Sequence, residues 1–227
     1  MISATIKNIP LVFKTDTTIF APKAIDTGTL AMLSMIDFTS NDKVLDLGCG
    51  YGTVGILAGK IIGGEKVIMC DISETAVQYS KINAELNQVM NIDIKVSDGY
   101  KNIANNDFTL ILSNPPYHTD FSVAKNFIEG GYKRLVIGGR MIMVTKRLTW
   151  YKNKLSSVFG GVKVHEIDGY YVFIAEKRSN KKNKLSGSRK KLSKKLERKY
   201  GSRGQSAQSR ETQAKRCSIA SADDGTE

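Results

Sequence analysis

Apolar and polar positions alternate between two periods along most of this chain. From residue 43 onward, short apolar runs at Val44 to Asp46, Val67 to Cys70, Ile92 to Val96, Phe108 to Leu112 and Met141 to Val144 have the length and composition of strands. Between them, helical spacing predicts helices over Thr53 to Ile62, Ser73 to Asn87 and Ser122 to Leu135, with Lys101 to Ala104 a shorter candidate. Strands alternating with helices imply a parallel sheet with helices on both faces. Upstream the signal is weaker: Thr5 to Phe13 reads as an irregular strand, Ile19 to Pro22 as a turn, and Thr29 to Ile36 as a short helix with Leu30, Leu33 and Ile36 on one face. Downstream the alternation breaks. A helix from about Trp150 to Phe159 precedes two extended runs, Val162 to Ile167 and Tyr170 to Glu176, joined at Asp168-Gly169, and Asp-Gly between apolar runs signals a hairpin. The expected fold is α/β, a mostly parallel sheet closed by a C-terminal antiparallel hairpin.

The first strand runs into the densest cluster of glycines in the chain. In KVLDLGCGYGTVG, Asp46 is followed by Gly48, Gly50, Gly52 and Gly55 before an apolar helix begins. Such spacing lets the backbone turn with positive φ and lets a ligand approach the main chain. Two cofactors fit. Gly50, Gly52 and Gly55 match G-x-G-x-x-G, and Asp71 follows at the distance of a dinucleotide fold's ribose acid. The same stretch matches D-x-G-x-G-x-G from Asp46, which resembles motif I of the class I S-adenosylmethionine-dependent methyltransferases; a carboxylate there suits the charged methionine end of that cofactor. The glycines leave both open. The closing hairpin departs from the dinucleotide fold, whose halves are both parallel.

A second motif narrows the choice. Ser113-Asn114-Pro115-Pro116-Tyr117-His118 follows the fourth strand, at the carboxyl edge where open α/β sheets bind ligands. Two prolines stiffen the backbone beside a short amide. An amino group on a planar ring is a poor nucleophile because its lone pair is delocalised. The Asn114 side-chain oxygen and the Pro115 carbonyl offer paired acceptors for its N–H bonds, a positioning and electrostatic role rather than that of a strong base. Tyr117 offers a face for stacking, worth about 1–3 kcal/mol for a nucleobase. From the strand ends, Asp71 is expected to accept the ribose hydroxyls with Ile72 beside the adenine, and Asp98, in Ser97-Asp98-Gly99, to accept from the adenine amino group. Either aspartate would also serve as a turn or helix cap. The expected cofactor set is Asp46, Gly48, Cys49, Gly50, Gly52, Asp71, Ile72, Asp98, Gly99 and Asn114.

Charge changes the picture at one end only. The chain has 227 residues and a net charge of +12, yet residues 177–227 hold 16 Lys/Arg against 5 Asp/Glu, leaving 18 against 17 in residues 1–176. The organisation expected is an N-terminal approach segment (1–40), a core (41–178) and a basic tail (179–227) without enough apolar surface to fold, suited either to solubility or to collecting phosphates. The 3 cysteines form no CxxC or Cys/His cluster, which argues against structural zinc and a disulfide framework. No apolar run reaches membrane-spanning length and the first ten residues lack a signal peptide's pattern, so the expectation is a cytoplasmic protein. His118 and His165 sit in no nucleophilic arrangement; His118 is expected near the substrate or at the surface, His165 packed in the hairpin.

Taken together, TIFAPKAIDTGTLAML, LDLGCGYGTVGI, SNPPYH, GGRMIMV and the closing hairpin resemble the catalytic domain of ribosomal-RNA guanine-N2 methyltransferases of the RsmC/RlmG type, over about residues 1–178. The resemblance implies a Rossmann-like, seven-stranded class I methyltransferase sheet, S-adenosyl-L-methionine as cofactor, and RNA as partner. It also implies that Asp46, Gly48, Asp71 and Asp98 hold the cofactor and that Asn114 to Tyr117 hold the target amino group. Larger members carry a preceding duplicated domain, which leaves RNA binding here to the core surface and the basic tail. A tyrosine stands where the family's N-P-P-F has phenylalanine, which keeps N6-adenine methylation of RNA or DNA open. Methylation of a protein glutamine is a further alternative, and a non-catalytic RNA-binding assembly factor is the non-enzyme one.

Overall fold

The computed structural model describes residues 1–116 and 121–180; Tyr117, His118 and the basic tail beyond residue 180 lie outside the described residues. The chain begins with β1 (Ile2–Ile6), β2 (Ile9–Phe13) and α1 (Thr27–Ser34). Alternation follows through β3 (Val44–Leu47), α2 (Thr53–Ile62), β4 (Val67–Asp71), α3 (Glu74–Leu86), β5 (Asp93–Val96), β6 (Phe108–Ser113), α4 (Phe121–Arg134), β7 (Leu135–Thr145) and α5 (Leu148–Phe159). The last strands are β8 (Lys163–Ile167) and β9 (Tyr170–Glu176).

Seven strands form one sheet in the order β5-β4-β3-β6-β7-β9-β8. The strands β3 to β7 run parallel, and β9 pairs antiparallel with both β7 and β8. Asp168 and Gly169, at φ 51° and 75°, close the β8–β9 hairpin with the left-handed pair that a two-residue turn demands. Because helices cover both faces, alternate residues of one strand feed two cores. Val44, Leu110, Leu112 and Val172 join Met32, Leu33, Ile56 and Leu57 of α1 and α2. Leu45, Leu47, Ile111 and Phe173 join Ile128, Tyr151 and Leu155 of α4 and α5.

Three expectations need correction. Thr5 to Phe13 is not one irregular strand: β1 and β2 form a separate hairpin turned by Lys7 and Asn8 at φ 51° and 63°. The alternation Ile2, Ala4, Ile6 and Ile9, Leu11, Phe13 breaks at those two residues, but no glycine marks the turn. Lys101 to Ala104 is not a helix; single turn bonds from Lys101 N–H to Asp98 O and from Ile103 N–H to Tyr100 O replace it. His165 is exposed on β8 rather than packed.

The β1–β2 hairpin is held by two buried asparagines one turn apart, Asn83 in the last turn of α3 and Asn87 at its C-cap. Asn87 accepts from Val12 N–H at 3.0 Å and donates to Val12 O at 2.7 Å, and Asn83 does the same to Lys14 at 2.7 and 2.9 Å. Both amides thus satisfy main-chain groups of the β2 region that would otherwise lack partners. Asn83 Nδ2 also donates to Tyr51 O at 2.9 Å, which ties this edge to the glycine loop.

Candidate active site

Strand order reverses between β3 and β6, and a cavity of about 460 Å³ opens there, outside the carboxyl ends of the strands. The loop after β3 forms its floor. The N–H groups of Gly48 and Cys49 both donate to Cys70 O, at 2.9 and 3.0 Å, which folds the loop back against β4. The glycines of this loop do two different jobs. A Cβ at Gly50, where φ is 56°, would meet nothing within 4 Å among the described residues beyond its own chain neighbours, so it faces open space. Gly52 and Gly55 answer to packing, since a Cβ would lie 2.8 Å from Ile56 Cδ1 at the first and 2.4 Å from Met69 Cγ at the second. Gly52 is the N-cap of α2 and does not line the cavity.

Asp46 is 2% exposed, and its Oδ2 accepts from Gly55 N–H at 2.8 Å. Burial pushes its carboxyl up to about 7; the Gly55 hydrogen bond opposes this and the charge of Asp71 adds to it. Among the described residues no cation pairs with it. Burial also pushes the Cys49 thiol well above its usual range and the Cys70 thiol up to about 12, so neither is a thiolate nucleophile at neutral pH.

Asp71 accepts from Gly50 N–H with Oδ2 and from Ser73 N–H with Oδ1, both at 2.9 Å. The α3 N-cap is Ser73, so Asp71 is not the helix cap, and each carboxylate oxygen keeps a lone pair for a ligand hydroxyl. Ile72 is 69% exposed on the cavity wall, where a flat apolar ring would cover it. Asp98 also lines the cavity, paired with Lys101 Nζ at 2.7 Å, next to Gly99 at φ 57°.

At the end of β6, Ser113 Oγ donates to Leu47 O at 2.8 Å and locks the strand to β3. Asn114 Nδ2 donates to Asp26 Oδ2 at 2.8 Å and to Thr29 Oγ1 at 3.0 Å, while Asn114 Oδ1 is buried without a partner among the described residues. A carboxylate only accepts, so Asp26 dictates which end of the amide faces it and leaves Oδ1 for the cavity. Pro115 and Pro116 complete this wall. The structure therefore brings together Asp46, Gly48, Cys49, Gly50, Asp71, Ile72, Asp98, Gly99, Asn114, Pro115 and Pro116 around one space, with Gly52 behind it.

Sequence reasoning missed Asp26, Thr29 and Phe20, all on the cavity wall. Asp26 caps α1 through Thr29 N–H at 2.8 Å and accepts from Tyr170 OH at 3.4 Å. The signal available was an aspartate directly before a helix, which says cap and nothing about a strand end 88 residues on. Phe20, 54% exposed, was hidden in a segment read only as a turn.

Known proteins are similar to this chain in architecture and in sequence. The ribosomal RNA small subunit methyltransferase C of Serratia proteamaculans is 31% identical over 166 residues, covering 71% of this chain and 44% of that one. YbxB of Bacillus subtilis, a protein of uncharacterised function, is 29% identical over 178 residues, 76% of this chain and 89% of its own length. Among solved structures, the 16S rRNA N2 guanine methyltransferase RsmC of T. thermophilus, in complex with AdoMet and guanosine, superposes with a TM-score of 0.70 at 24% identity, over 78% of this chain and 50% of that one. The chain thus spans under half the length of the small subunit methyltransferase C relative it matches. Residues 10–174, from the β1–β2 hairpin through nearly all of β9, match one family over most of the described chain, and the protein belongs to the methyltransferase small domain family.

Proposed function

We propose that this chain is an S-adenosylmethionine-dependent N-methyltransferase that methylates an exocyclic amino group of a base in RNA, guanine N2 of ribosomal RNA. The observation that carries this reading is the buried Oδ1 of Asn114, which has no partner among the described residues and whose amide nitrogen is committed to Asp26 and Thr29. Asn114 Oδ1 accepts one N–H of the target amino group and the Pro115 carbonyl the other, favouring the more tetrahedral, electron-rich nitrogen. Acceptors set before the reaction stabilise this form without reorganising during it.

The residues present fit the cofactor. Gly50 leaves the space a side chain would fill, Asp46 is a buried acid with no cation of its own among the described residues, and Ile72 offers an apolar wall. Asp46 would meet the methionine ammonium, Asp71 the ribose hydroxyls, Ile72 the adenine face and Asp98 the adenine amino group. Bound there, S-adenosylmethionine supplies an electrophilic methyl on a sulfonium sulfur. The relatives named as small-subunit and large-subunit ribosomal RNA methyltransferases, and the guanosine bound in the T. thermophilus structure, support RNA and guanine as the acceptor class.

Nucleoside mass spectrometry of RNA incubated with the protein and isotopically labelled S-adenosylmethionine, beside an Asn114→Ala control, tests the reading. The expected product is labelled N2-methylguanosine that vanishes in the control. Labelled N6-methyladenosine would move the target to adenine, and cofactor binding without label in naked RNA or ribosomal subunits would sink the RNA assignment.

A further inference from the structure

We propose that Lys146 and Arg147 form a phosphate clamp beside Asn114, holding an RNA strand at the flank of the base being methylated. This rests on the RNA reading above and assigns the surface that reading requires. The parallel register of β6 and β7 sets Ser113 opposite Met143, so Asn114 is level with Val144 and the two cations follow just beyond on the neighbouring strand. Strand spacing and rise put them roughly 10 Å from Asn114 along the backbone.

Both side chains are exposed, and each is held over an aromatic ring. Lys146 Nζ lies 4.7 Å from the Tyr170 ring centroid, and Tyr170 OH donates to the same Asp26 that orients Asn114. The Arg147 guanidinium lies 5.1 Å from the Phe121 ring centroid, and Phe121 stacks on Trp150 with centroids 4.3 Å apart and planes at 14°. A guanidinium held over a ring keeps N–H donors at its edge for a phosphate.

Five described lysines, Lys7, Lys43, Lys95, Lys101 and Lys154, each pair with a carboxylate. Neither Lys146 nor Arg147 has such a partner among the described residues, on a domain whose charge is otherwise nearly balanced. Cations interleaved with aromatic rings are the combination that tracks a single strand. An enzyme that draws a base out of its stack must also hold the backbone beside it.

The test is binding of the full chain to a short, labelled, guanine-containing single-stranded RNA by fluorescence anisotropy at salt between about 50 and 200 mM. The Lys146→Ala/Arg147→Ala variant is expected to bind about tenfold more weakly near 0.1 M salt. Its dependence of log affinity on log salt should be shallower by about 1.4, two phosphate contacts at about 0.7 each. S-adenosylmethionine affinity should be unchanged, and Lys146→Arg/Arg147→Lys should keep most of the binding. Lys60→Ala/Lys66→Ala removes the same charge at the opposite edge of the sheet and should change little.

Unaltered affinity and slope in the double alanine variant would overturn the proposal, as would an equal loss in the Lys60/Lys66 control or a wild-type chain that binds no RNA. If the double variant also loses cofactor binding its fold is damaged, and Lys146→Gln and Arg147→Gln separately decide by the same criteria. RNA bound through these residues but never methylated would refute the catalytic reading alone. Methylation of another acceptor with no RNA binding would refute both.

Discussion

Replacing Asp26 separates the two jobs this carboxylate performs. Its Oδ2 takes Thr29 N–H and Asn114 Nδ2, both at 2.8 Å, so one oxygen caps α1 and aims the amide. In Asp26→Ala the lost cap costs about 0.5–2 kcal/mol. For a domain of 150–250 residues that is a fall of roughly 1–8 °C in Tm. Asn114 Nδ2 keeps only Thr29 Oγ1, and its amide is free to turn its nitrogen toward the cavity. A hydrogen bond to a charged group contributes about 1.5–3 kcal/mol, and losing it in the transition state lowers kcat by roughly 10- to 150-fold. Asp26→Asn is the sharper variant. Asparagine caps as well as aspartate, so Tm should stay near wild type, yet a neutral amide presents either end to Asn114 and kcat should still fall. Labelled methyl transfer gives kcat, thermal unfolding gives Tm, and S-adenosylmethionine binding, expected to change less than about threefold, shows that the glycine loop is intact. Full kcat in Asp26→Ala with a lowered Tm would refute the reasoning and leave Asp26 as a helix cap only.

Further outcomes follow from other parts of the site. Asp46 holds its proton in the folded chain up to about pH 7, whereas the unfolded chain releases it near 3.8, so its contribution to cofactor-free stability is present below about pH 4 and lost as pH rises through 7. A cationic ligand favours the carboxylate, so S-adenosylmethionine binding should release a proton near neutral pH, and calorimetry in buffers of different ionisation heat should see it; no buffer dependence would count against Asp46 meeting the ammonium. Gly50→Ala should weaken cofactor binding at least tenfold with about 1 kcal/mol of strain, while Gly55→Ala should lower Tm through about 1–3 kcal/mol of overpacking against Met69, the contrast being read by binding and unfolding side by side. Asn83→Ala leaves Lys14 N–H and O and Tyr51 O without their partner and should destabilise by roughly 2–4 kcal/mol in chemical denaturation.

What could be read from the sequence was local. Periodicity gave the strand and helix alternation, Asp168-Gly169 gave the last hairpin, and the glycine spacing from Asp46 gave the loop, because each rests on neighbours in the chain. The N-terminal hairpin escaped because Lys7 and Asn8 adopt positive φ without a glycine to announce it. Asp26 and the asparagine grip on β2 escaped for a different reason. They are polar contacts between residues 69 to 88 positions apart, and a polar side chain carries no period that says what it will meet. Asn83 and Asn87 did offer a hint, being amides at helical spacing on the face that α3 buries.

The reach of the Asp26–Asn114 bond also bears on how the chain is made. Synthesis at about 5–20 residues per second separates these two residues by roughly 4–18 seconds. In that interval the glycine loop and β4 already exist, while α1 has no strand end to hold. The last strands add a second constraint. Although β8 is made before β9, it lies outside it in the sheet, so β8 has no strand to pair with until β9 has been made. A nascent chain therefore carries the glycine loop before it carries Asn114, and a ribosome that stalls before β6 leaves a fragment that lacks the Asn114 wall of the cavity.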